Sequence, residues 1–202
     1  MLIPALCAVQ LSVAEPCRCP RRAVRARDQR RPSRVCYGKD RVCCFTGYRP
    51  EKIHLDSAGL LRLQQDTRSA VHRAAQAGCR AFLCGMSRGF DLLAAQQVLA
   101  LQDSLGLELW AAVPFPGQDA RWEPYWREAF HDCLLAAGRV FCLSERYTPG
   151  CYHARNRFLV ASASRMICYF DGQPGGTAYT VRLARAQGLT IDNLADQQLS
   201  LL

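Results

Sequence analysis

Apolar positions along the chain alternate between two patterns. Short runs that are apolar almost throughout are separated by longer stretches in which apolar residues step by three and four. The runs are 41–46 (RVCCFT), 81–84 (AFLC), 107–114 (LELWAAVP), 139–143 (RVFCL) and 165–170 (RMICYF). Between them, Leu60, Leu63, Thr67, Val71 and Ala74 mark one helical stripe, and Phe90, Leu93, Ala94, Gln97, Val98 and Leu101 a second. Trp122, Trp126, Ala129, Phe130 and Cys133 mark a third, residues 152–163 a fourth, and residues 177–187, stopped by Gly188, a fifth. Residues 189–191 are a candidate short edge strand. Fully apolar strands alternating with amphipathic helices indicate a mostly parallel sheet covered on both faces and joined by right-handed crossovers. The fold expected is α/β: a single Rossmann-like three-layer domain with about five strands, over residues 41–202. A disordered, basic tail rich in Arg, Cys and Pro is expected over residues 1–40.

Charge separates these two parts. The chain carries a formal net charge of +9. Residues 1–41 hold ten Lys/Arg against Glu15, Asp28 and Asp40, so the body, with 16 basic and 14 acidic side chains, is close to neutral. The tail lacks a sustained period and cannot bury enough surface to offset its ordering entropy. An apolar run ending at Ser12-Val13-Ala14 has a small-residue cleavage pattern, but no basic residue precedes it and Gln10 interrupts it, so secretion is not favoured. An Arg-rich arm can also supply weak nucleic-acid contact. No apolar run is long enough to span a bilayer, so no membrane partner is expected.

Twelve cysteines form no C-x-x-C pair, and no His/Cys/Asp/Glu cluster has metal-ligand spacing. Cys43, Cys44, Cys84, Cys142 and Cys168 lie inside apolar runs, where a reduced thiol serves as a small hydrophobe. Reduced structural thiols suit a cytoplasmic protein. Cys151 lies in a loop and stands apart.

In an open parallel sheet, ligands bind beyond the carboxyl ends of the strands where strand order reverses. Four of the five strand ends here carry glycine. The first ends in Thr46-Gly47-Tyr48-Arg49-Pro50, and the second in Gly85-Met86-Ser87-Arg88-Gly89-Phe90-Asp91. The fifth ends in Asp171-Gly172-Gln173-Pro174-Gly175-Gly176-Thr177, which opens a helix. Glycines admit a close ligand, and the first N–H groups of a helix favour an anion. Thr177 can cap that helix or donate its hydroxyl to a phosphate, and an ordinary capped turn suits the same residues. Asp91 can meet a ribose hydroxyl or base, or simply stabilise a helix start. Arg155 and Arg157 are two apart on a helix, so only one of them can face the site. The chain has no G-x-S-x-G elbow, no P-loop and no G-x-G-x-x-G turn, which argues against serine hydrolase, P-loop ATPase and standard NAD dehydrogenase chemistry.

Together these motifs resemble a known superfamily. Phe45-Thr46-Gly47-Tyr48-Arg49-Pro50 resembles the first strand loop of the bacterial YpsA-like proteins of the SLOG superfamily. Gly85-Met86-Ser87-Arg88-Gly89-Phe90-Asp91 is similar to the G-x-x-x-G-x-D segment of the DNA-processing protein DprA. Tyr152-His153-Ala154-Arg155-Asn156 and Pro174-Gly175-Gly176-Thr177 resemble paired motifs of the lonely-guy phosphoribohydrolases. The resemblance covers about residues 42–194. It implies a Rossmann-like domain that binds a nucleotide or a nucleotide-derived ligand such as ADP-ribose, as a sensor or regulator, with no separate cofactor.

Under it, Gly175, Gly176 and Thr177 cradle a phosphate with Arg155 as counter-charge. Thr46, Gly47 and Arg49 line the neighbouring wall. Ser87, Arg88 and Asp91, bracketed by Gly85 and Gly89, contact ribose or base. Lonely-guy enzymes follow Gly-Thr with a leucine and two glutamates, where this chain has Ala178, Tyr179 and Thr180, and their Lys after the Arg is Asn156 here. Losing that carboxylate removes the obvious general base. Binding without turnover is therefore the leading expectation. The alternatives are a nucleotide N-glycosidase using Asp91 or Asp171 with Arg155, and a DprA-like single-stranded DNA-binding protein. A homodimer is left open.

Overall fold

The computed structural model describes residues 37–195. The expected disordered tail lies outside the described residues except for 37–40, which belong to the body. Tyr37 packs 6.0 Å from the Trp110 ring, and Ser164 Oγ donates to the Asp40 carbonyl at 3.1 Å. Residues 37–40 thus pack against the body.

Six strands form one sheet: β1 (Val42–Gly47), β2 (Ala81–Cys84), β3 (Glu108–Val113), β4 (Arg139–Cys142), β5 (Arg165–Tyr169) and β6 (Thr190–Asn193). Every pairing is parallel, and the order is β4-β3-β2-β1-β5-β6. The expected count of about five becomes six because β6, a candidate edge in the sequence, pairs along β5 from Arg165↔Thr190 to Cys168↔Asn193. β6 faces solvent on one edge and carries Thr190, Asp192 and Asn193, so no apolar run announces it.

The five helices are α1 (Ser57–Gln76), α2 (Phe90–Leu105), α3 (Pro124–Ala136), α4 (Cys151–Ala161) and α5 (Gly176–Ala186). Asp56 caps α1 by accepting from Gly59 N at 2.7 Å. Successive strand residues point to opposite faces and so divide the core in two. Cys43, Phe45, Phe82 and Leu109 meet α1, α2 and α3 on one face. Cys44, Leu83, Ala112 and Met166 meet Leu159 and Val160 of α4 and Val181 and Ala184 of α5 on the other. All eight cysteines of the described body are free and buried. Burial pushes the Cys133 thiol up to about 12 and raises Cys43, Cys44 and Cys84 as well. They therefore stay protonated and pack as apolar side chains.

The chain begins in the middle of the sheet, steps outward through β2, β3 and β4, and then crosses back to place β5 on the opposite side of β1. The reversal leaves a crevice beyond the carboxyl ends of β1 and β5.

Candidate functional site

A cleft of about 280 Å³ occupies that crevice. Thr46 and Gly47 close β1 at its floor, and Gly175, Gly176 and Thr177 bring in the start of α5. Ser87 and Asp91 come from the turn after β2, and Tyr152, Arg155 and Asn156 from α4. Residues from four separate sequence segments therefore meet in one place.

The start of α5 is open. Gly175 is its N-cap at φ +143°, a backbone region that side-chain-bearing residues seldom adopt, and no side chain caps the helix. The Thr177 hydroxyl neither caps nor points to an anion: it donates to the Gly47 carbonyl at 2.9 Å and ties α5 to the end of β1. A Cβ built on Gly176 meets nothing within 4 Å. The loop leading into α5 is held by Tyr48. Its buried hydroxyl donates to Asp171 and accepts from the backbone N–H groups of Asp171 and Gln173 at 3.3 and 3.2 Å. Burial and the adjacent Asp171 acceptor push Tyr48 up to about 12, whereas the Tyr48 hydrogen bond lowers Asp171. Asp171 is exposed and engaged with Tyr48, and it does not line the cleft.

The opposite wall is a buried ion pair. Asp91 and Arg155 are 6% and 5% exposed, and their charged atoms lie 3.8 Å apart. Arg155 donates through Nε to Asn156 Oδ1 at 2.8 Å, through Nη1 to the Gly85 carbonyl, and through Nη2 to Ser87 Oγ at 3.1 Å. Asp91 also accepts from the Ser87 N–H at 3.3 Å. A Cβ on Gly85 would run into the Arg155 guanidinium and the Asp91 carboxylate, which explains the glycine there. Burial raises Asp91 to about 6, against the pull of Arg155 and the Ser87 N–H. Burial likewise lowers Arg155, which Asp91 opposes. Arg155 is thus engaged mainly with the protein, and it organises the turn after β2. Arg157 faces out on the exposed side of the same helix.

The cations presented to the cleft are Arg49 and Lys52. Both are exposed. Arg49 lies 5.7 Å from the centre of the Tyr152 ring, and Lys52 Nζ donates to the Pro174 carbonyl at 3.1 Å beside the turn into α5. Lys52, Tyr152 and the Tyr48 staple escaped the sequence reading. Tyr48 and Tyr152 sit inside the motifs singled out there, but only their pairing across the sheet gives them a role.

Arg88 and Gly89 do not line the cleft. Arg88 pairs with Glu51, which lines the cleft, and, at 3.0 Å, with Glu123. Gly89 is the N-cap of α2. Met86 between them and β2 is the one non-glycine among the described residues at positive φ (+57°), and its carbonyl accepts from buried Gln118 Nε2 at 3.0 Å. Cys151, read as a loop residue in the sequence, is the buried first residue of α4. Among the described residues, no group of three His, Cys, Asp or Glu side chains is placed to hold a metal ion. No described helix is long and apolar enough to cross a membrane.

A parallel α/β domain with a glycine-edged, polar cleft at its topological switch point defines a Rossmann-like protein. Two DprA structures share this fold. The chain aligns with DprA from Streptococcus pneumoniae at a TM-score of 0.53 and 15% identity, covering 75% of this chain and 49% of that one. With Helicobacter pylori DprA, solved to describe its single-stranded DNA binding mode, the TM-score is 0.56 at 16% identity, covering 77% and 65%. The chain therefore spans about half to two thirds of those proteins. The model of the YpsA family, described as the YspA SLOG family, matches residues 43–194, and the chain belongs to that family. It is 25% identical over 152 residues to UPF0398 protein BH1768 of Halalkalibacterium halodurans, covering 72% of this chain and 80% of that protein. It is 20% identical over 145 residues to UPF0398 protein OB1025 of Oceanobacillus iheyensis, covering 69% and 79%.

Proposed function

We propose that this chain binds the phosphate-bearing ribose of a nucleotide or nucleotide-derived ligand, such as ADP-ribose, and acts as a sensor or regulator. The observation that carries the reading is the composition of the switch-point cleft. An uncapped helix start faces Lys52 and Arg49 on one wall, and a buried carboxylate, Asp91, stands on the other. A phosphate suits the first wall, by the dipole and by charge. Hydroxyl donors suit the second, because an ionised carboxylate only accepts. Arg155 is assigned to holding Asp91 and Ser87, with Arg49 and Lys52 as the counter-charge.

A thermal-shift panel of nucleoside mono-, di- and triphosphates, NAD and ADP-ribose tests the reading. A ligand at 100 times its Kd stabilises by about 2.7 kcal/mol. At about 2–4 °C per kcal/mol for a chain of this size, a shift of roughly 5–10 °C is expected for at least one compound. A flat panel at millimolar ligand sinks it.

Asp91 also sets a pH dependence. Its ionised form accepts the ligand hydroxyl, so below its value of about 6 a proton must leave before binding. Affinity for ADP-ribose, whose pyrophosphate does not titrate near 6, is expected to hold from pH 8 to 7 and fall about tenfold between pH 7 and 5. Titration calorimetry across this range, repeated with Asp91→Asn, checks it; an equally pH-dependent variant assigns the effect elsewhere.

The same carboxylate supports a second reading, a nucleotide N-glycosidase, because a group raised to about 6 is suited to proton transfer near neutrality. It predicts free base from a nucleoside monophosphate, lost in Asp91→Asn. No release above a buffer blank removes it.

A further inference from the structure

Arg88 stands beside the switch-point cleft and is held at its rim by one of the cleft's own residues. Its Nη2 donates to Glu51, and its Nη1 lies 3.1 and 3.0 Å from the two carboxylate oxygens of Glu123. Glu123 does not line the cleft, whereas Glu51 does. Glu51 sits in the short 3-10 turn Pro50–Lys52, between Arg49 and Lys52, the two cations presented to the cleft. The backbone that carries Arg88 is pinned on both sides. The Ser87 N–H donates to Asp91 at 3.3 Å, and the Phe90 N–H donates to the Tyr48 carbonyl at 3.0 Å. The side chain is what remains free to swing, and both of its carboxylate partners are more than half exposed.

A carboxylate between two cations works against a phosphate site. The lining holds three Lys or Arg against two Asp or Glu, and Arg155 and Asp91 already answer each other. Glu51 therefore offsets much of what Arg49 and Lys52 offer. We propose that Glu51 is an internal competitor of the ligand: it holds Arg88 until an incoming phosphate takes the guanidinium from it. This rests on the reading of the cleft as a phosphate site and adds regulation to that site. Energetics favour the exchange. Ion pairs this exposed are individually weak, whereas a guanidinium can meet a phosphate through two parallel charge-assisted bonds. Glu51 keeps Arg49 and Lys52 as neighbours in the chain, so its charge is not stranded when Arg88 leaves. A ligand without a phosphate offers Arg88 nothing in place of the carboxylate, so the same contact makes the cleft selective for phosphate-bearing compounds.

Titration calorimetry of ADP-ribose on the full chain tests the exchange, with Glu51→Gln alone and with Arg88→Ala added to it. Neither side chain belongs to the core, so both proteins are expected to fold. Glu51→Gln is expected to tighten binding about fivefold, the upper end of what an exposed ion pair is worth. Adding Arg88→Ala is expected to weaken it again by about tenfold or more, because the contact with the phosphate goes too. A passive shield behaves differently. With Glu51 neutralised nothing remains to shield, and adding Arg88→Ala then costs less than about twofold, the residue of a screened charge. That result overturns the proposal and leaves the cleft reading standing. Unchanged or weaker binding in Glu51→Gln does the same, since Glu51 then competes with nothing. No binding of ADP-ribose by the unmodified chain or by Glu51→Gln defeats the reading of the cleft and this proposal with it.

Discussion

Replacing Arg155 with methionine is expected to destabilise the domain by about 3–5 kcal/mol at pH 8, the cost of leaving one partner of a buried ion pair alone. Methionine fills much of the same volume, so the loss is chiefly electrostatic. The variant strands the Asp91 carboxylate at 6% exposure and leaves the Gly85 carbonyl and Ser87 hydroxyl without their donor. At about 2–4 °C per kcal/mol, the melting point should fall by roughly 10 °C. The defect has a sign in pH. Below about 6 Asp91 is largely protonated even in the unmodified chain, so the pair contributes less there and the difference between the two proteins narrows at pH 5. Adding Asp91→Asn to Arg155→Met should recover stability at pH 8, because the stranded charge is gone. Melting curves of the two single variants and the double variant at pH 5 and pH 8 read this directly. A drop below 1 kcal/mol at pH 8, with no recovery in the double variant, would mean that cleft water solvates Asp91 and that Arg155 does not organise the turn.

The elements were legible in the sequence where one pattern dominated. β1, β2, β3 and β5 are buried on both faces, so their runs are apolar without alternation. The helix stripes follow from one buried face each. β6 was harder, because an edge strand with Thr190, Asp192 and Asn193 carries little apolar signal. The site divides in the same way. The glycine turns stand at strand ends, and their backbone demands are local: Gly175 sits at φ +143°, and Gly85 has no room for a Cβ. The side-chain partnerships are not local. Thr177 reaches Gly47 across 130 positions, Arg155 reaches Gly85 across 70, and Arg88 turns to Glu51 and Glu123 at separations of 37 and 35. Residue type says that Arg88 can meet a ligand and that Thr177 can cap a helix. Only the packed sheet reveals that other groups have already claimed them.

Gly176→Asp separates the cleft's function from its fold. A Cβ at this position meets nothing within 4 Å, and the residue is the first of α5, where a carboxylate interacts favourably with the helix dipole by about 0.3–1 kcal/mol. No side chain caps the helix now, so the new carboxylate displaces no existing partner. The melting point without ligand is therefore expected to stay the same or rise slightly. The ligand phosphate meets the opposite situation: the carboxylate lies over the N–H groups that the phosphate would use, and the two negative charges repel. Loss of affinity by at least a hundredfold is expected, with the ligand-induced shift in melting point abolished. Arg49 and Lys52 remain in place and can pair with the new Asp, which deepens the loss by taking the counter-charge away from the ligand. Unchanged affinity in a folded Gly176→Asp protein would remove the phosphate from the start of α5, whatever the fate of the other contacts. A lowered melting point without ligand would instead show that the open helix start serves the fold, and the glycines after β5 would then be turn residues.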